Sequence, residues 1–179
     1  MESLNRKILV FHLLGIIFTN IAGSFLHFVY EMSGSFKPLA LIGAVNESTW
    51  EHLKIGFWPA AFFAVLEYIA YGKKNKNFWL AKALCLYTIP FLIIILFYGY
   101  TFFMHHNLFL DISIFVLAVI AAYYLSYKIL VSDRDFSRYR IVAIILIIAA
   151  LLAFSLLTYF PPKNFLFLDP QTGSYGIIE

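Results

Sequence analysis

Five long apolar runs, separated by short charged breaks, restrict what this sequence can fold into. Crossing the hydrocarbon core of a bilayer takes about 20 helical residues, and each run has roughly that length. Only 13% of the residues are charged, whereas a soluble domain usually carries about a quarter. We therefore predict an all-α fold, a polytopic transmembrane bundle (residues 1–160) with spans near 7–30, 50–71, 78–104, 108–131 and 141–160, followed by a tail over 161–179.

The distribution of basic residues predicts the orientation of this bundle. Cytoplasmic loops of membrane proteins are enriched in Lys and Arg. Of the 13 basic residues, ten lie at the N-terminus or near the second and fourth breaks, namely Arg6, Lys7, Lys73, Lys74, Lys76, Lys82, Lys128, Arg134, Arg138 and Arg140. We expect the N-terminus inside and the C-terminus outside. Because the net charge is only +3 and the basic residues report topology, we expect no nucleic-acid partner.

Polar groups in the first span rise toward the predicted outer surface. Ionisable groups at membrane depth are costly and usually face a bundle interior or a watery cavity. Four polar residues, Asn20, Ser24, His27 and Glu31, lie within an arc of about 60° on a helix that turns 100° per residue. Gly15 and Gly23 on the neighbouring face allow close approach by another helix. We therefore expect this polar stripe to face protein.

The densest polar segment opens the second span and reads Asn46-Glu47-Ser48-Thr49-Trp50-Glu51-His52-Leu53-Lys54. Ser48 and Glu51 have the spacing of a capping box, in which the serine oxygen accepts from the backbone N–H of residue 51 and the glutamate side chain returns to the N–H of the cap. Helix capping explains the presence of Ser48 and Glu51 but not that of Glu47 or His52. Both become candidates for an outer-face site.

Two further groups of ionisable residues follow in the sequence. His105 and His106 end the third span and Asp111 lies in the first turn of the fourth, so we expect them at the same outer face. At the inner end, Glu67 and Lys82 lie at similar depth, and we expect a structural ion pair between them.

The tail combines aromatic side chains with turn residues such as Asp169-Pro170. Disordered segments seldom contain so many large apolar residues. We expect the tail to fold back over the outer mouth as a lid, and the alternative is a segment lying on the lipid headgroups.

The segment 46–54, with the late Leu168-Asp169-Pro170 and Tyr175-Gly176, resembles an uncharacterised family of small bacterial polytopic membrane proteins. The resemblance covers nearly the whole chain and implies a bacterial cytoplasmic (inner) membrane. The outer-face residues are also similar in chemistry to the alkaline-ceramidase-like membrane hydrolases, which hold zinc with histidines, an aspartate and a serine. This chain has five predicted spans where those enzymes have seven, and it lacks their His-x-x-x-His pair on the last helix.

The outer-face residues fit a metal-dependent hydrolase of a lipid or lipid-linked substrate. Catalytic zinc takes three protein ligands, typically His or carboxylate, and keeps one position for water. We expect zinc or another divalent metal on His27, His52 and His105 or His106, with Glu51 or Asp111 as the base and with Glu31, Glu47, Ser48 and Trp50 contacting the substrate or orienting a ligand.

Two other functions use the same residues. A transporter, channel or small-ligand receptor could line an outward-facing pocket with them, and a non-catalytic accessory subunit could use them for assembly. In each case the partners are the lipid bilayer and a lipid or small-molecule ligand.

The charge distribution makes a prediction about topology. A reporter enzyme fused after Glu179 should be active only outside the cytoplasmic membrane, and one inserted into residues 72–77 should be active only inside. Activity in the reverse compartments would move the candidate site to the cytoplasmic face.

Overall fold

The computed structural model describes residues 2–177 and contains five long α-helices. They are α1 (Glu2–Met32), α2 (Thr49–Ala70), α3 (Phe78–Thr101), α4 (Leu108–Leu130) and α5 (Arg140–Leu156). Each is long and apolar enough to cross a membrane, α5 together with the preceding 3-10 turn Ser137–Tyr139. Within residues 2–177, extended pairing is limited to one bridge between Leu168 and Tyr175. The predicted all-α bundle of five spans is confirmed.

The helices pack as a bundle that presents apolar side chains to its surroundings. The α3 helix packs along α4, α1 packs against both α2 and α4, and α5 lies on α3. Phe57 and Ile89 are completely buried in the core, whereas Ile21 and Ile141 are 67% and 72% exposed. Because lipid is as apolar as these side chains, such an exterior suits an integral membrane protein.

Small residues let α1 approach its neighbours closely, as the sequence predicts. A Cβ atom at Gly15 would lie 2.4 Å from the Tyr123 ring of α4, and one at Gly23 would lie 2.7 Å from the Ile55 carbonyl oxygen of α2. Between these positions, the Thr19 hydroxyl lies 3.1 Å from the Tyr123 hydroxyl.

The expectation that the whole polar stripe of α1 faces protein is wrong. Ser24 and Glu31 are exposed. The Asn20 amide donates to the Ile16 carbonyl at 2.8 Å, and the Ser24 hydroxyl donates to the Asn20 carbonyl at 2.9 Å. Since bonds to the helix's own backbone satisfy these donors, both side chains can lie at the edge of the bundle.

A buried polar cluster joins four helices at the end opposite the candidate site. Lys82 donates to Glu67 at 2.5 Å, which is the expected ion pair. The Tyr71 hydroxyl donates to the other Glu67 oxygen. His12 lies 3.3 Å from that oxygen and 3.2 Å from the Ser126 hydroxyl. Every ionisable group in this cluster therefore has a partner.

The close approach at Gly23 predicts a difference between two glycine substitutions. Gly23→Ala should lower the free energy of unfolding by about 1–3 kcal/mol, because the new methyl group meets backbone that cannot move aside easily. Gly99→Ala in α3 is the control, since nothing lies within 4 Å of an added Cβ there. It should be neutral or slightly stabilising because alanine favours helix. Unfolding in detergent would measure both, and equal stability of the two variants would contradict the α1–α2 packing.

Candidate metal centre

Three side chains converge where α1 ends and α2 begins. The Nε2 atoms of His27 and His52 lie 3.2 Å apart, and the Oε2 atom of Glu47 lies 3.8 Å from the first and 3.4 Å from the second. Among residues 2–177, these three form the one group of at least three His, Cys, Asp or Glu side chains that could hold a metal ion. We call it the histidine cluster.

Three different chain segments supply this cluster. His27 lies in the last two turns of α1, His52 in the first turn of α2, and Glu47 in the connection just before the α2 cap. Ser48 is that cap, and its side chain accepts from the Glu51 backbone N–H. The predicted cap therefore fixes where α2 starts, and with it the position of His52 relative to Glu47.

Hydrogen bonding fixes the tautomer of His52. Its Nδ1 lies 2.9 Å from the Ser48 carbonyl oxygen, and because a carbonyl only accepts, Nδ1 carries the proton. In the neutral ring, Nε2 then presents a lone pair toward Glu47 and His27. Metal-binding histidines are commonly oriented in this way by a bond from their other ring nitrogen.

The electrostatics of the cluster require a positive species between its members. A lone pair of His52 faces the Glu47 carboxylate, and these two groups repel unless a proton or a metal cation lies between them. His27 can supply that proton through Nε2 or take up a metal there. In either state its Nδ1 is buried and has no hydrogen-bond partner, so this nitrogen does not distinguish a proton from a metal.

The distances suit a tetrahedral metal. For zinc bonds of about 2.0–2.1 Å, tetrahedral ligand atoms lie about 3.3–3.4 Å apart. The observed separations of 3.2, 3.4 and 3.8 Å bracket this value. Two histidines and one carboxylate also form a ligand set used by catalytic zinc, which leaves one position open.

The cluster borders an open cleft of about 120 Å³ that is lined by His27, Phe28, Tyr30, Glu31, Ala44, Val45, Asn46 and Glu47. The His27, His52 and Glu47 side chains remain 23%, 35% and 39% exposed. Glu31 is a second carboxylate on the cleft wall. A small polar group could therefore reach the cluster from the surface of the bundle.

Glu51, expected as a base, has a different environment from the cluster. It is 2% exposed, and Oε2 pairs with the Lys54 ammonium at 2.7 Å. Oε1 accepts from the Thr158 hydroxyl, and Oε2 also accepts from the Val45 N–H. The predicted return of Glu51 to the cap is wrong, since the Ser48 N–H donates to Asn46 instead. This placement gives no support to Glu51 as a base.

Lys54 is the functional residue that the sequence reasoning missed. Its ammonium donates to the Ala40 carbonyl, to Thr158 and to Glu51, each at 2.7 Å. The bond from Lys54 to Ala40 holds the chain before Ile42, and the bond from the Val45 N–H to Glu51 holds it after Ile42. Both lie just before Glu47. A lysine three residues after a glutamate at the start of an apolar helix was the available signal.

The remaining predicted site residues lie outside the histidine cluster. Asp111 accepts from the Tyr100 hydroxyl at 2.5 Å and pairs with His106 at 2.7 Å. His105 is exposed. The α3–α4 connection holds these residues together locally, so the expectation that His105 or His106 completes the ligand set is not supported by the structure.

Comparison with known proteins assigns this chain to a protein family. Residues 2–177 match a family of unknown function, DUF6512. The chain belongs to this family. No curated protein and no solved structure matches it. The predicted membership of an uncharacterised family is thus confirmed, and the likeness to alkaline-ceramidase-like hydrolases stays a prediction.

The two sequence segments that carried the family resemblance meet in the structure. The Asn46 amide donates to the Gly176 carbonyl at 2.8 Å, and the Trp50 N–H donates to the Leu166 carbonyl at 2.8 Å. The Trp50 ring is stacked against Phe167, with ring centroids 4.6 Å apart. Trp50 thus holds the tail against the start of α2, and its expected contact with substrate or with a ligand stays a prediction.

The tail contacts the start of α2, and its expected role as a lid stays a prediction. None of residues 161–177 lines the cleft. Asp169 shapes the tail by accepting from the Gln171 N–H and the Thr172 hydroxyl. The last two residues of the expected lid, 178 and 179, fall outside the described residues. The contacts of the tail with Asn46 and Trp50 indicate that it stabilises the start of α2.

Substitution of Lys54 tests the buried ion pair between Lys54 and Glu51. Lys54→Met strands a buried carboxylate and should lower the free energy of unfolding by about 3–5 kcal/mol. Adding Glu51→Gln removes the stranded charge and should recover a large part of the loss. Lys76→Met is the control, because its partner Asp135 is on the surface and exposed pairs contribute little to stability. Equal losses for the single and double variants, measured by unfolding in detergent, would contradict the buried ion pair.

Proposed function

We propose that this protein binds a zinc ion on His27, His52 and Glu47 and uses it for hydrolysis at the membrane surface. The observation that carries the proposal is the approach of three ligand atoms to within 4.8 Å of one another, with His52 oriented by Ser48. Carboxylate and imidazole ligands suit zinc, whereas a magnesium site would use oxygen ligands.

The ligand set leaves one coordination position for water or substrate. When bound in such a site, zinc lowers the pKa of a water ligand to about 7 and polarises a carbonyl or phosphoryl oxygen. Glu47 supplies one negative charge to the site, and Ser48 keeps His52 in the tautomer that binds metal. Glu31 lies on the same cleft wall and would serve as the base toward a metal-bound water.

The location of the cleft supports an amphipathic substrate. His27 lies close to the end of α1 and His52 at the start of α2, so the cluster is at the depth where hydrocarbon gives way to headgroups. A lipid or lipid-linked molecule presents its ester or phosphodiester at this depth. By the distribution of basic residues this is the outer face, and in a bacterium it would be the extracytoplasmic side of the inner membrane.

Metal content tests the proposal directly. Wild-type protein purified in detergent and dialysed against zinc should hold about one ion per chain, and zinc should raise its melting temperature by mass action. His52→Ala should fold yet lose both effects, because it removes a ligand. His105→Ala is the control and should retain both, since His105 lies outside the cluster.

A second variant separates metal binding from helix capping. Ser48→Ala should cost about 1 kcal/mol of stability through loss of the cap and should keep its zinc, because the backbone carbonyl that orients His52 remains. Zinc bound equally by wild type and His52→Ala would overturn the proposed site. Stoichiometric iron(II) in place of zinc would keep the ligands and replace the hydrolytic chemistry, since two histidines and a carboxylate also hold iron in oxygenases.

A further inference from the structure

An apolar groove of about 650 Å³ runs along the lipid-facing side of α1. It is lined by Leu14, Ile17, Phe18, Ile21, Ala22, Phe25 and, from α2, Phe63. Phe63 lies directly against α1 because Gly15 has no side chain, and a Cβ there would be 2.9 Å from the Phe63 ring. Ala22 also lines the groove, and its small side chain fills little of the space there.

The length of the groove matches one leaflet of a bilayer. Leu14 and Phe25 are eleven residues apart, which is about 16 Å along a helix. One leaflet contributes about 15 Å of hydrocarbon. The groove therefore has the length of a single lipid chain in one leaflet.

The groove leads to the histidine cluster. Three residues after Phe25, Phe28 lines the cleft, and its ring centroid lies 4.7 Å from that of His27. Residues three and four apart are neighbours on a helix surface, so the apolar face of α1 continues from the groove into the cleft wall. Glu31, which lies about one helical turn beyond Phe28, adds a carboxylate to the cleft wall.

We propose that groove and cleft form one lipid site, with an acyl or prenyl chain along α1 and the polar end of the same molecule at the histidine cluster. An apolar wall alone would not select a lipid, because bilayer chains are as apolar as the groove. Selection comes from the shape beside Ala22 and Phe63 together with the polar end. The assignment of this lipid as substrate rests on the proposed function, whereas its binding does not.

A photoreactive lipid tests the site. The protein is reconstituted in phosphatidylglycerol nanodiscs with a trace of the same lipid carrying a diazirine midway along one acyl chain, and adducts are mapped by mass spectrometry. We expect labelling of residues 14–25 and Phe63 to exceed that of the exposed face of α5 by about tenfold, which equals about 1.4 kcal/mol of preference.

Two matched variants test whether the acyl chain of the lipid lies in the groove. Ala22→Trp fills the groove and should reduce its labelling to the α5 level. Ala149→Trp adds the same ring to the exposed face of α5 and should leave groove labelling unchanged. Equal labelling of groove and α5 face in wild type, or unchanged labelling in Ala22→Trp, would overturn the lipid site. Cross-links between two protein chains through the groove, in place of lipid adducts, would also overturn it.

Zinc content of the same samples separates the two proposals. Ala22→Trp should keep its zinc, because Ala22 lies five residues before His27 on α1 and supplies no ligand atom. His52→Ala should lose zinc and still show preferential labelling of the groove, because the apolar walls remain. Specific labelling of a wild-type protein that binds no zinc would refute the metal site and support the lipid site, and zinc binding without specific labelling would do the reverse.

Discussion

The buried ammonium of Lys54 is the contact on which the candidate site depends. Each of its three N–H donors is used, on Ala40, Glu51 and Thr158. The bonds connect α2 with the segment that follows α5 and with the connection that delivers Glu47. Charges taken out of water are expensive unless paired and fully hydrogen-bonded. Because this arrangement meets both conditions, it can hold an irregular connection in one conformation at the end of a membrane bundle.

The two ends of the bundle differ in the burial of their ionisable groups. At one end Glu67, Lys82 and His12 are buried and all have partners, which is typical of a structural cluster. At the other end the Nε2 atoms of His27 and His52 converge on the Glu47 carboxylate, and all three side chains are partly exposed. Ionisable groups that converge at a surface cleft are typical of sites that bind a ligand. The same residue types thus serve packing at one end and, we propose, chemistry at the other.

The sequence predicts the helices well because span length and hydropathy are local properties. It also selects His27 from the polar stripe of the first span, and Glu47 and His52 because helix capping gives no reason for them. It does not anticipate the surroundings of Glu51, whose carboxylate pairs with Lys54 and accepts from Thr158, more than a hundred residues away. Nor does it anticipate that Asp111 pairs with His106 at the α3–α4 connection. Which polar residues meet across helices depends on helix rotation and crossing, and hydrophobic periodicity does not specify these within one turn.

The central claim is that two imidazoles and a carboxylate bind one metal ion, and X-ray absorption at the zinc edge measures this coordination directly. Zinc-loaded protein should show a first shell of about four nitrogen and oxygen atoms at about 2.0–2.1 Å, with the outer-shell scattering of two imidazole rings. His52→Ala loaded at the same zinc concentration should show one ring or none. A wild-type spectrum without imidazole scattering, or with a sulfur shell near 2.3 Å, would contradict the account.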